Sequence, residues 1–272
     1  MLKYDNRCAA CRPTTRSILL LPDTHAHLGD DQFAADIQDV LRRAEQAGIG
    51  RILCVGSDVA SSRRAIELAR ENSCVYAAVG MHPHFAQHWA LECDELRTLL
   101  HEPKVVAVGE VGLDYVRDSV PREQQLAAFE QQIAWAEEMG LPVSVHNRSA
   151  DADVIRTVDK TTTTAIMHCF GGDAGLTEWA LDRGHAISFA GNVTFKNASA
   201  LQAVARDIPV DSLLVESDSP VLAPQSHRGH RNEPAYVRDT ATFIAGVRAV
   251  AVEHLSDAIW ANADRVFGWG TA

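Results

Sequence analysis

Eight short runs of β-branched or aliphatic residues recur along the chain, each followed by a turn and then by a longer stretch of helical period. They fall at residues 18–23, 51–55, 75–79, 105–108, 142–145, 165–167, 186–189 and 213–215. This alternation calls for a parallel sheet, because parallel neighbours need a long crossover and a helix supplies it. The helices carry their own signals. Phe33, Ile37, Val40, Leu41 and Ala44 share a face before Gly48, a second helix is predicted over 61–70, and the longest spans 125–138 with Leu126, Phe129, Ile133 and Trp135 before Gly140 and Pro142 stop it. Eight units predict an α/β fold closed as a (β/α)8 TIM barrel, although an open doubly wound sheet shows the same alternation with fewer units. The placement of polar residues decides for the barrel, a single domain over 18–272. Residues 1–17 lack the pattern and are read as an N-terminal extension. Its Cys8 and Cys11 are half of a zinc-ribbon spacing without a second pair.

Composition narrows the function. With 46% hydrophobic and 22% charged residues, the chain is an ordinary globular protein rather than a disordered or fibrous one. Lys plus Arg number 25 against 36 Asp plus Glu, a net charge of −11, which excludes coating nucleic acid by bulk charge but not binding it at a small local site. No apolar run approaches the roughly 18 residues of a membrane span. Arg7, Arg12 and Arg16 precede Ile18 to Leu21, but Pro22 and Asp23 cut that run short of a signal-peptide core. The six cysteines form no regular framework, so a cytoplasmic location is expected. No obligate protein partner is evident.

The chemistry gathers where barrel active sites are built, at the C-terminal strand ends. The first run leads into Asp23-Thr24-His25-Ala26-His27, the fourth into Glu110 and Asp114, the fifth into His146-Asn147-Arg148, the sixth into His168 and the eighth into Glu216-Ser217-Asp218. In an extended strand residues two apart share a face, so His25 and His27 can address one ion. Four histidines and two carboxylates (Glu110, Asp218) at matching ends are costly to bury unpaired, and a shared cation resolves them together. Six ligands exceed what one tetrahedral catalytic ion takes, so two divalent ions are expected, with Glu110 between them. Mixed imidazole and carboxylate donors suit Zn, Mn, Ni or Fe, with Mg able to support turnover.

The succession of residues 23–27 (DTHAH), 80–84 (GMHPH), 108–115 (VGEVGLDY), 141–146 (LPVSVH), 168–172 (HCFGG), 193–198 (VTFKNA), 216–220 (ESDSP) and 231–234 (RNEP) resembles the TatD family of metal-dependent deoxyribonucleases, in the right order over about residues 22–268. The resemblance implies that His25, His27, Glu110 and Asp218 serve one ion and Glu110, His146 and His168 the other. It further implies that Asp218 takes the proton of the attacking water and that Glu216 orients the site from behind. It adds the substrate class, DNA. A narrow barrel mouth admits a free or frayed end but not a duplex interior, so single strands cut by an exonuclease are expected. Where such proteins commonly carry Ser or Thr, Arg, Asp after the fifth-strand histidine, this chain has Asn147-Arg148-Ser149.

His82 and His84 resemble family positions near the substrate phosphate. Arg148, Lys196, Arg228, His230 and Arg231 are further candidates for phosphate oxygens, Arg231 foremost because it lies inside a matching motif. Trp89, Trp135, Trp179 and Trp260 fall in helical segments and are expected to pack rather than to stack bases. Two other readings are weighed. An amidohydrolase-type enzyme cleaving C–N or ester bonds would commonly place a modified Lys on the fourth strand, where this chain has Glu110. A non-catalytic binding module would have lost ligands, and all six are present.

Overall fold

A computed structural model describes residues 19–117 and 119–269 of the chain. Eight parallel strands pair in sequence order: β1 (Leu21–Ala26), β2 (Ile49–Val55), β3 (Val75–Val79), β4 (Val105–Asp114), β5 (Val143–Arg148), β6 (Ala165–Met167), β7 (Ala186–Phe189) and β8 (Leu213–Val215). Helices α1 (Ile37–Gln46), α2 (Val59–Glu71), α3 (Trp89–Leu99), α4 (Arg122–Met139), α5 (Asp151–Val158), α6 (Ala174–Asp182) and α7 (Ser199–Asp207) form the crossovers, and α8 (Val237–Arg248) and α9 (Val252–Phe267) follow the last strand. This is the expected (β/α)8 barrel. Cys8 and Cys11 lie outside the described residues.

The strand period of two sorts the side chains. One parity faces the helices: Ile52 and Cys54, Val75 and Ala77, Val143 and Val145, Ile187 and Phe189 belong to the large core shared with α1 to α9. The other parity fills the barrel, where Leu53, Val55, Ala78, Ala107, Ile166, Ala186 and Leu214 pack with Phe267 and Trp269. Two residues further along the same faces stand His168, Ser188 and Glu216. The barrel is thus apolar toward its N-terminal end and polar at the opposite mouth.

Three strands, β3, β6 and β7, together with β8, begin and end where the sequence places them. β1, β4 and β5 run on past the ends placed for them at residues 23, 108 and 145, into the segments that form the site. The ladder is made by backbone groups, and burial among neighbouring strands keeps polar residues in it. α4 ends at Gly140, whose φ of 66° lies in the left-handed region, as its position after the apolar face suggested. Trp89 and Trp135 stack 5.1 Å apart between α3 and α4, and Trp179 and Trp260 also pack away from the mouth, against His185 and Arg51.

The β8–β1 seam is closed mainly by side chains. Thr24 Oγ1 donates to the Val215 carbonyl at 2.9 Å. Asp23 accepts the Ser217 amide at 2.9 Å and the Ser217 hydroxyl at 2.6 Å. At the mouth, the amides of His27 and Asp218 donate across the seam to Ser219 and His25.

At the other end of the barrel, His185 Nδ1 accepts the Ala165 amide at 3.2 Å. Burial, reinforced by Arg183, pushes its imidazole down to about 4. Between about pH 6.5 and 4 the unfolded chain therefore takes up a proton there that the folded protein refuses, and stability falls as pH drops through that window. Substituting His185→Gln keeps an acceptor without the charge. The variant is expected to lose on the order of 2 kcal/mol less than the parent between pH 7 and 4 in urea titrations.

Candidate metal centre

Two irregularities aim the central side chains. Along β1 the register against β2 shifts between Asp23 and Ala26, and along β4 the register against β5 shifts between Val108 and Val111. Each shift admits one extra residue, a bulge of the kind that re-aims side chains near sites. His25 lies in the first and Glu110 in the second. Glycines permit the close approach of β4 to β5: a Cβ on Gly112, whose φ is +141°, would stand 2.0 Å from the His146 carbonyl oxygen. Cys169 and Asp218 hold left-handed backbone conformations (φ 44° and 54°) at the mouth, where such strain commonly marks function.

Glu110 is the hub. Its Oε2 faces His25 Nε2 at 3.6 Å and His27 Nε2 at 3.3 Å. Its Oε1 faces His146 Nδ1 at 2.9 Å and His168 Nε2 at 3.2 Å, with His82 Nε2 at 3.4 Å. Asp218 completes the first group, its Oδ1 3.7 Å from His27 Nε2. All six ligands expected from the sequence therefore converge on one point of the mouth.

The partners behind the rings show which nitrogens present lone pairs. His25 Nδ1 bonds Ser144 Oγ at 3.0 Å, and His168 Nδ1 donates to Glu216 Oε1 at 2.8 Å. With Nδ1 of His168 donating to Glu216, its Nε2 is the nitrogen turned to Glu110 and the one that would offer a lone pair to a cation, as would Nε2 of His25. His25 Nε2 also lies 3.2 Å from His27 Nε2. Converging lone pairs and carboxylate oxygens of this kind fit cations with N and O preferences, and the trios His25–His27–Glu110 and Glu110–His146–His168 each have their donor atoms within 4.8 Å of one another. A further trio, His82–His84–His146, is less suited: His82 Nδ1 accepts the His84 amide at 3.1 Å, which leaves the proton on Nε2.

The electrostatics follow from burial. Burial pushes the Glu110 carboxyl up, but His82, His168 and His146 outweigh it and hold it well below the usual carboxylate range. His168 is pulled down by burial and raised well above its ordinary value by Glu216 and Glu110. Burial pushes Asp218 up to about 6, opposed by His168 and His27.

Sequence reasoning gave Asp114 no role, although it lies in the quoted 108–115 segment. Its Oδ2 meets His84 Nε2 at 2.8 Å and His146 Nε2 at 3.3 Å, while Oδ1 accepts the amides of Val116 and Arg117. It orients two of the site's rings. Asp23 and Ser144 were also without a role, and the parity of Ser144 with His146 was the available signal for the latter. His82, Glu216 and Arg148 lie at the site or its cleft as expected. Arg231 does not line the cleft: both its terminal nitrogens bond the Asp36 carboxylate, at 2.8 and 2.7 Å, and its guanidinium covers the Phe33 ring. It ties the segment after β8 to the approach to α1. Arg228 likewise lies over the Phe195 ring, 4.1 Å from its centroid.

A barrel whose mouth gathers histidines and carboxylates around a buried glutamate defines a metal-dependent hydrolase. The comparisons with known proteins give it a family. The family model for TatD related DNases matches residues 22–268, and the chain belongs to that family. It is 40% identical over 252 residues to the uncharacterized metal-dependent hydrolase YabD of Bacillus subtilis, covering 91% of this chain and 99% of that protein. It is 35% identical over 257 residues to the 3'-5' ssDNA/RNA exonuclease TatD of Erwinia amylovora, covering 90% and 99%. The crystal structure of YJJV, a TatD homolog from Escherichia coli, superposes with a TM-score of 0.88 at 28% identity over 92% of this chain and 99% of that one.

Glu216 lends itself to a direct test, since its carboxylate bonds the far nitrogen of the His168 ring and the Cys169 amide. Glu216→Gln removes the anion that fixes the His168 proton, and carboxylates in this position typically contribute 10–100-fold to metal affinity. The variant is expected to bind zinc about 10–100-fold more weakly by competition with a chelator, with an unchanged far-UV circular dichroism spectrum.

Proposed function

We propose that this enzyme hydrolyses phosphodiester bonds of DNA as an exonuclease, entering at single-stranded or frayed ends and using two divalent ions (Zn, Mn, Ni, Fe or Mg). The observation that carries the reading is the division of labour within Glu110: one oxygen turned to His25 and His27, the other to His146 and His168. A carboxylate between two donor groups suits a pair of ions about 3.5–4 Å apart. Such ions supply Lewis acidity, lowering the pKa of water and stabilising the charge on a leaving oxygen.

The protein's own residues do the rest. Asp218, raised toward neutrality yet ionised at pH 7, accepts a proton from the attacking water at its carboxylate. Glu216 holds the His168 ring through Nδ1, and Ser144 holds that of His25. His82, whose proton lies on Nε2, presents a donor for a phosphoryl oxygen beside Glu110. Arg148 stands at the cleft with its side chain 57% exposed, available to a phosphate.

The end preference follows from shape. The centre lies within a cleft of about 1140 Å³ at the barrel mouth, and a duplex interior cannot bring its backbone to Glu110 without distortion. The relative from Erwinia amylovora carries an exonuclease name that agrees with this reading. No helix among the described residues is long and apolar enough to cross a membrane. We place the protein in the cytoplasm, supported by the free cysteines Cys54, Cys74, Cys93 and Cys169, and infer that it needs no protein partner for hydrolysis.

Two measurements test the proposal. Asp218→Asn is expected to lower kcat on single-stranded DNA by about 10²–10⁴-fold in metal-replete buffer, the range for loss of a general base. Full turnover in that variant would contradict its role. Linear single-stranded DNA should be shortened from an end while a closed circle of the same sequence survives. Equal rates on both would refute the exonuclease.

A further inference from the structure

The cationic side chains of the cleft are confined to one sector. Among the described residues only two Lys or Arg side chains line it, Arg117 just after β4 and Arg148 at the end of β5. These strands are neighbours, with Asp114 paired to Arg148 in register.

Asp114 organises both. Its Oδ1 accepts the Arg117 amide at 2.9 Å, fixing the turn that carries this residue. Its Oδ2 accepts from His84 Nε2, and His84 Nδ1 in turn accepts from the Arg117 guanidinium at 3.3 Å. The Arg148 guanidinium stands 3.9 Å from the same Oδ2. One buried carboxylate thus stands behind both arginines: it holds the Arg117 amide directly and its guanidinium through His84, and the Arg148 guanidinium stands beside it. Asp151, at the start of α5, also lines this side of the cleft, where it accepts from Asn147 Nδ2 at 2.7 Å.

Around the rest of the mouth no Lys or Arg side chain lines the cleft among the described residues. Asp30, Asp58 and Asp173 line it, and each starts a helical turn by accepting the amide of Gln32, Ser61 and Leu176 respectively. Their positions are dictated by the helix starts, and together they form an acidic rim on either side of the arginines, after β1, β2 and β6.

We propose that Arg117 and Arg148 together seat one phosphate of the substrate chain, next to the phosphate being cleaved, and that the acidic rim leaves this sector as the single path for a strand. Guanidinium forks match phosphate oxygens, and only the ring of His146 separates Asp114 from Glu110, which sets the seat beside the centre rather than in it. The proposal rests on the phosphodiesterase reading and sharpens it: one extra phosphate is recognised, and a second strand meets repulsion.

The test compares a dinucleoside monophosphate, which has one phosphate, with a trinucleotide, which has two, in the metal-loaded enzyme, kcat and KM being measured separately across salt concentrations. In the parent the second phosphate should raise kcat/KM about tenfold or more, chiefly through KM, as one charge-assisted contact can supply. In Arg117→Gln/Arg148→Gln that gain should fall below about threefold, and the log–log salt slope for the trinucleotide should become shallower by about 0.7, the share of one phosphate on a single strand. Lys at both positions should restore part of the gain, because the charge returns without the fork. A parent that cleaves both substrates and a double Gln variant that keeps the whole gain and slope would overturn the seat alone. A parent that hydrolyses bis(p-nitrophenyl) phosphate but neither oligonucleotide would overturn the nuclease reading and the seat together.

Discussion

A buried carboxylate surrounded by imidazoles is unstable unless something positive sits among them, and Glu110 makes that constraint concrete. Its side chain is 4% exposed and lies within 3.6 Å of nitrogen atoms from five histidines. An isolated carboxylate at that depth costs several kcal/mol, and protons shared with His168 and His146 offset the cost in the absence of metal. Cations perform the same service with a chemical return. The folding of the mouth and the capacity to bind metal are in this sense one property, since what makes the centre electrostatically tolerable also makes it reactive.

The rest of the architecture serves to hold that carboxylate in place. The bulge in β4 turns Glu110 into the mouth, and glycines at 109 and 112 let β5 come close enough for Ser144 and His146 to reach their partners. Behind the rings stands a row of polar residues: Ser144 behind His25, Glu216 behind His168 and Asp114 behind His146 and His84. The two carboxylates draw the proton to the nitrogen they bond, and Ser144 holds the plane of the His25 ring. Beneath them the barrel is apolar and closed by Phe267 and Trp269, which leaves the mouth as the route of access to the centre from solvent.

Much of this was legible in the sequence because two periodicities speak plainly. The alternation of short aliphatic runs with helical stretches identified every strand, and ligand types at five strand ends identified the centre. What escaped was of a different physical kind. The extension of β1, β4 and β5 through polar residues reflects backbone pairing, which hydropathy does not report. Asp114 acts through contacts with His84, thirty residues earlier, and with His146 in the next strand, and spacing along one strand does not encode those distances. Arg231 shows the opposite limit. Its motif is present, yet Asp36 and Phe33, nearly two hundred residues away, claim its guanidinium. A charge in a loop is free or occupied according to what the fold brings beside it.

Whether Glu110 serves two ions at once is measured most directly by anomalous diffraction from crystals grown with manganese. It is expected to show two peaks about 3.5–4 Å apart with one Glu110 oxygen on each, His25 and His27 on one side, and His146 and His168 on the other. A single peak in a crystal saturated with metal, or two peaks that do not share Glu110, would contradict that role of Glu110.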